Sequence, residues 1–258
     1  MKFINLFTLL LLAINSGCGG FSGRHTQAAS PTNEVQVRPV IVELFTSEGC
    51  SSCPPADKQL EFLAKQQPVT GADIITLAFH VDYWDSPNWR DRFSSPLFSR
   101  RQELYARQLK LDSAYTPQIV VDGRKEVIAT DFNKTLLAIM ESAKLVAGSI
   151  SATASGNTVR FEVTGLPEHG PSTLYLAAAE DYIGSKVSGG ENAGTKFRHM
   201  SVVRELKAVT AIPAGAEGIS VECELPYVPT WKKDNLKYAA FVQDNADRRI
   251  IAAARIIQ

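Results

Sequence analysis

Two cysteines separated by two residues, Cys50-Ser51-Ser52-Cys53, carry the strongest chemical signal in the chain. They follow an apolar run, Val40-Ile41-Val42-Glu43-Leu44-Phe45, and a short polar turn, Thr46-Ser47-Glu48-Gly49. Pro54 and Pro55 come next, and then a helical pattern. A dithiol at the mouth of a helix meets unpaired N–H groups and the positive end of the helix dipole. That field favours a thiolate and makes the first cysteine a nucleophile. Proline suits the first helical turn, where no N–H is missed. The chemistry implied is thiol–disulfide exchange, with Cys50 and Cys53 as the catalytic pair. Cys50 attacks as thiolate and forms a mixed disulfide, and Cys53 releases it. Ser51 and Ser52 add no positive charge and Glu48 is close in sequence, so only a modest lowering of the Cys50 pKa is expected. His80 is an auxiliary candidate, because an imidazolium beside Cys50 would favour its thiolate. The bland role for His80 is a hydrogen-bonded residue at a strand end.

Two other chemistries use the same residues. Cys50, Cys53 and His80, with Asp82 as a fourth ligand, are a donor set for copper(I) or zinc, in binding or delivery. Against this, the sequence has no second close cysteine pair and no Met-rich tract. The third reading is a non-enzymatic envelope binding protein whose disulfide only staples the start of the helix. No cofactor is expected on the first reading. The expected partners are a polypeptide thiol or disulfide substrate and an electron-transfer partner.

The elements that would position this pair are legible. Ala56, Leu60, Leu63 and Ala64 share one face of a helix after the dithiol. Residues 73–81 read as a second strand, apolar almost throughout, as a strand covered on both faces should be. The stretch from Asp82 to Pro96, with Trp84, Trp89 and Phe93, has no period and reads as a loop at the C-terminal end of that strand, where sites in parallel sheets are built. Leu97 to Leu109 is a second helix with Leu97, Leu104, Tyr105 and Leu109 inward and its Arg and Gln residues outward. Tyr115-Thr116-Pro117 opens a hairpin that turns at Asp122-Gly123, and Asp131 caps a third helix. The order is β-α-β-α-β-β-α.

From about Ile150 short alternating segments are separated by Gly, Asn and Pro. Seven such segments predict an antiparallel β-sandwich domain over 149–258. Within it, the Gly-rich stretch from Ser188 to Thr195 is a candidate cover for the dithiol. Cys223 alternates with Val221 and Leu225 and reads as an inert core thiol.

The chain has 258 residues and no net charge. That balance gives no reason to expect nucleic acid or an anionic membrane surface as partner. Lys2 and the apolar run to Ile14 form a secretory leader pattern, too short to span a membrane. Ser16-Gly17-Cys18 is similar to a bacterial lipoprotein cleavage site, which makes Cys18 the lipidation candidate, although Asn15 stands where an aliphatic residue is usual. The expected organisation is a leader over 1–18, a flexible tether over 19–37, a dithiol domain over 38–148 and the sandwich. The protein is expected to be exported, either to the periplasm or as a lipoprotein whose only membrane contact is its anchor. Either location is oxidising.

A strand, a Cys-x-x-Cys at a helix start and a Thr-Pro opening the third strand resemble the thioredoxin fold. More closely, the chain resembles a family of secreted bacterial proteins of unknown function, DUF1223. That resemblance rests on 42–57, on Phe79-His80-Val81-Asp82-Tyr83-Trp84-Asp85, on Tyr115-Thr116-Pro117-Gln118, and on Gly189-Gly190-Glu191-Asn192-Ala193-Gly194. The thioredoxin likeness implies that Pro117 is a cis proline facing the dithiol and that the Thr116 backbone binds an incoming polypeptide. It also implies a buried acid six residues before the first cysteine. Leu44 stands there, and Glu43, one residue out of register, would need a bulge to serve. Glu43, Asp82 and Trp84 complete the auxiliary candidates.

Overall fold

The computed structural model describes residues 37–256. The leader, Cys18 and the tether up to residue 36 lie outside the described residues. The element order is β1 (Arg38–Thr46), α1 (Pro54–Gln66), β2 (Ala72–His80), α2 (Pro96–Gln108), β3 (Gln118–Val121), β4 (Lys125–Ile128) and α3 (Phe132–Ser142). It continues with β5 (Ser149–Ser155), β6 (Thr158–Thr164), β7 (Ser172–Glu180), β8 (Ile183–Lys186), β9 (Lys196–His199), β10 (Val202–Ile212), β11 (Ile219–Glu224), β12 (Leu236–Asp244) and β13 (Ile250–Ile256).

This is a mixed α/β fold built on one large sheet. Eight strands run in the order β13-β12-β7-β10-β2-β1-β3-β4. β1 and β2 are parallel, and β3 and β4 return antiparallel to β1. The change of texture near Ile150 is therefore not a break between two separate domains. β10 joins β2 through the Val202–Ala78 pairing, and the Ala78 N–H donates to the Ser201 carbonyl at 2.8 Å. The Arg255 guanidinium reaches back to Asp73 at 2.7 Å. Of the expected sandwich, β5, β6 and β11 form a separate three-stranded sheet. Val159, Phe161 and Val163 of β6 pack against Leu174, Leu176, Ala240 and Val242 of the large sheet. The hairpin β8–β9 was not anticipated.

Alternation along the strands sorts the core into layers. Val40, Val42 and Leu44 face α1 and α3. Ile41, Phe45, Leu77 and Phe79 face the other way, with Phe98 and Tyr105 of α2. The inward face of α2 is the expected one only in part: Tyr105 and Leu109 join the core as expected. Leu97 is 70 % exposed, whereas Phe98, Arg101, Gln102 and Tyr105 are buried. Arg101 and Gln102 turn inward because β1 and β3 offer them buried polar partners, Glu43 and Gln118. Cys223 is half-buried against the three-stranded sheet's core, as its alternation predicts, and burial pushes its thiol pKa up.

Candidate functional site

Cys50 and Cys53 form a disulfide with Cα atoms 5.5 Å apart. Cys53 is the N-cap of α1, and prolines occupy the next two positions. This local sequence weakens the expected N–H field. Pro54 and Pro55 have no N–H. The Cys53 N–H is already given to the Cys50 carbonyl at 3.2 Å, and the Ala56 N–H to the Cys53 carbonyl at 2.9 Å. What remains for the Cys50 sulfur is the dipole of α1 and the Ser52 hydroxyl at 3.4 Å.

Both cysteines have no exposed surface. The strap between β8 and β9, the stretch the sequence marked from Ser188 to Thr195, bonds to the backbone of the dithiol turn. Asn192 Nδ2 donates to the Cys50 carbonyl at 2.8 Å and to the Glu48 carbonyl at 3.0 Å. The Glu191 carboxylate accepts from the Ser51 N–H at 3.0 Å and the Ser51 hydroxyl at 2.6 Å, which holds its pKa down. Gly189 and Gly190 allow this approach. A Cβ on Gly189 would stand 2.6 Å from the Trp89 side chain. One on Gly190, at φ +72°, would stand 3.0 Å from the Gly49 Cα.

The Thr116–Pro117 peptide is cis. Trp84 connects it to the dithiol turn. Its Nε1 donates to the Thr116 hydroxyl at 2.7 Å, while its Cβ lies 3.3 Å from where a Gly49 side chain would begin. Three other candidates sit elsewhere. Glu43 faces α2, because β1 pairs with β2 and β3 without a bulge. Its carboxylate is taken by Arg101 and Tyr105. It is the paired structural acid, on the opposite side of the sheet from α1. Asp82 also turns to α2, where its carboxylate accepts from the Ser99 hydroxyl. His80 lies on the α1 side, but its Nδ1 is 2.7 Å from Asp91 and its ring packs on Phe93 and His199. Among the described residues no three His, Cys, Asp or Glu side chains converge to hold a metal, so Cys50, Cys53 and His80 do not form the anticipated donor set.

The structure instead assembles a polar chamber under α1. His199 Nε2 and Glu48 Oε1 are 2.9 Å apart. The His80 and His199 rings meet edge to face at 5.0 Å. Asp91 also accepts the Glu48 N–H at 2.8 Å. Asp57, one turn along α1 from Cys53, completes the group. Burial raises the Asp57 pKa, and the nearby His199 and His80 only partly counter it. Burial also opposes charge on Asp91, but His80 prevails and holds its pKa at about 2. For His80, burial disfavours the imidazolium, yet Asp91 outweighs it and the pKa is raised. Solvent reaches this chamber through a cleft of about 460 Å3 lined by Pro54, Asp57, Asn192, Phe197 and His199.

The sequence reading missed Asp57, Asp91 and His199. The i, i+4 spacing from Cys53 could have found Asp57. Asp91 lies in an aperiodic loop, and His199 comes from the unanticipated hairpin.

Residues 41–243 match the family described as "Protein of unknown function (DUF1223)". The chain belongs to that family. A crystal structure of protein AGR_C_4864 from Agrobacterium tumefaciens is 26 % identical with a TM-score of 0.68, covering 86 % of this chain and 95 % of that one. HBP35 of Porphyromonas gingivalis is 15 % identical with a TM-score of 0.62, over 85 % of this chain and 75 % of that one, a likeness of fold alone. No curated protein matches the chain.

Proposed function

We propose that this DUF1223 member is an exported thioredoxin-like protein that exchanges disulfides with an envelope polypeptide through Cys50 and Cys53. The observation that carries the reading is the Cys50–Cys53 disulfide at the start of α1, backed by a chamber of titratable side chains. A staple needs no ionisable groups beneath it, whereas a redox dithiol must gain and lose protons. In the reduced protein, the Cys50 thiolate attacks one sulfur of a substrate disulfide, and the other substrate sulfur leaves as a thiolate. Cys53 gives up its proton and attacks the Cys50 sulfur, which releases the second substrate thiolate. Two electrons pass to the substrate, and the Cys50–Cys53 bond re-forms. Asp57 is the proton acceptor for Cys53, because it stands on the dithiol side of the sheet and Glu43 does not. Thr116 and Pro117 offer the surface beside the dithiol for the incoming chain. The strap must swing away to admit it. Export rests on the leader pattern, and lipidation on Cys18. Among the described residues no helix is long and apolar enough to cross a membrane.

The staple reading draws on one observation, the complete burial of both cysteines. Two measurements separate the readings. Cys53→Ser, expressed in its native envelope, is expected to accumulate mixed disulfides on Cys50. Their absence, with Cys50 still open to alkylation, would end the exchange reading. Glu191→Ala with Asn192→Ala removes four hydrogen bonds that hold the strap. Reduction of the disulfide by dithiothreitol should then speed up roughly tenfold, the kinetic equivalent of about 1.4 kcal/mol of closure lost. An unchanged rate would show that the strap does not control access.

A further inference from the structure

A second cleft lies between α2 and β10, with a volume of about 530 Å3, and Phe93, which lines it, separates it from His80 and His199 of the dithiol chamber. That is the size of a small-molecule site. Its walls are apolar and aromatic, with Leu97, Phe98, Leu104, Tyr175, Leu206 and Trp231. Its rim is basic. Arg92, Arg100, Arg204 and Arg248 all line it, against one acid, Glu205. Arg204 is fixed in place, because its guanidinium lies between the Phe93 ring at 5.4 Å and the Trp231 ring at 5.5 Å, and Nη1 donates to Glu180 at 3.0 Å. Among the described residues no carboxylate pairs with Arg92, Arg100 or Arg248. Burial lowers the Arg204 pKa, Glu180 partly counters it, and the neighbouring Arg92 charge lowers it further. Three of the four rim guanidinium groups around this apolar hollow, those of Arg92, Arg100 and Arg248, have no carboxylate partner among the described residues and so complement an anion. Leu97, 70 % exposed at its edge, is the residue that sequence patterning had assigned to the core.

We propose that the α2–β10 cleft is a binding site for an organic anion: an acidic head on the unpaired arginines and an aromatic or aliphatic body on Phe98, Leu104, Tyr175 and Leu206. The proposal is independent of the disulfide chemistry.

The test compares two probes of nearly the same shape, the anionic 8-anilino-1-naphthalenesulfonate and the uncharged N-phenyl-1-naphthylamine. Each is titrated by fluorescence into the full chain, with decanoate as competitor. The sulfonate should bind saturably, be displaced by decanoate, and weaken as salt rises. Arg92→Gln with Arg100→Gln should weaken it tenfold or more, about the worth of one charge-assisted hydrogen bond. These two side chains are exposed and form no ion pair among the described residues, and Arg92 makes only a ring contact with Phe93 at 4.7 Å, so the variant should keep its melting temperature. Leu206→Trp, which fills the hollow, should abolish binding of the sulfonate while Cys50 alkylation is unchanged. Equal binding of both probes, or sulfonate binding that ignores the arginine substitutions, would overturn the proposal and leave only an apolar surface.

Discussion

On the α2 face of the large sheet, Glu43 is held by Arg101 and Tyr105, and Gln243 closes the group by accepting from Arg101 at 3.0 Å and donating to Tyr105 at 2.7 Å. On the α1 face, Glu48, Asp57, Asp91, His80 and His199 are gathered with fewer mutual bonds, and the buried His80 Nε2 has no hydrogen-bond partner among the described residues. Both clusters bury charge, but they resolve its cost differently. In the first, one carboxylate meets one guanidinium. Burial opposes the Arg101 charge, but Glu43 outweighs it and the pKa goes up, while burial raises the Tyr105 pKa well above its ordinary value, so neither titrates near neutrality. In the second, two imidazoles face three carboxylates; burial raises the Asp57 pKa, while at His80 burial opposes the charge and Asp91 outweighs it, raising the pKa. A buried group that must change its charge cannot be fully paired in one state. The difference separates a cluster whose charges are fully paired from one whose carboxylates and imidazoles are only partly paired.

The comparison breaks first at Glu43. Glu43→Ala leaves the Arg101 guanidinium buried without its partner and should cost about 3–5 kcal/mol, read as a shift of the urea midpoint. Glu43→Leu with Arg101→Met removes both charges and should recover most of that loss. Neither variant should move the pH dependence of Cys50 alkylation in the reduced protein. If one did, the two clusters would not be independent.

The next effect lies at the His80–Asp91 pair. Asp91 has a depressed folded pKa, so its contribution is present above the ordinary value of 3.8 and is lost as pH falls towards about 2. The difference is worth about 2 kcal/mol. His80 has a raised folded pKa, so its contribution is present below 6.5 and is lost as pH rises through the folded value. Stability should therefore peak in the mildly acidic range. Asp91→Asn should flatten the acidic limb and His80→Gln the alkaline one, measured by urea unfolding across pH. A stability profile identical to the parent in both variants would refute the pairing.

Much of this arrangement is written in local patterns. The dithiol turn, the proline start of α1, the Thr116–Pro117 entry to β3 and the glycine strap all depend on residues close in sequence. Arg101 and Gln102 defeated the polarity pattern because their partners, Glu43 and Gln118, come from other elements. The joining of the two halves was equally hidden. Only the first residues of β10 pair with β2, and the rest of that strand alternates like any antiparallel one. The chamber draws on α1, on β2, on the loop after it and on β9, so no single stretch displays it. Asp57 was the exception, since it stands four residues from Cys53 in plain view.

Asp57 should show the smallest effect on stability and the most specific effect on chemistry. Burial raises its folded pKa, so ionising it works against the fold. Stability is full below 3.8 and declines as pH rises through the folded value. Asp57→Asn removes that decline. The variant should match the parent in acid and be equal or slightly more stable at neutral pH. If Asp57 accepts the Cys53 proton, the same substitution should slow the release of a preformed Cys50 mixed disulfide by about a hundredfold, the usual scale for loss of a general base. The slowing should fade as alkali ionises Cys53 directly. A destabilised variant with unchanged release would place Asp57 with Glu43, as a structural acid. A stable variant with slow release, set against an unstable Glu43→Ala with normal chemistry, would separate the two faces by function as well as by geometry.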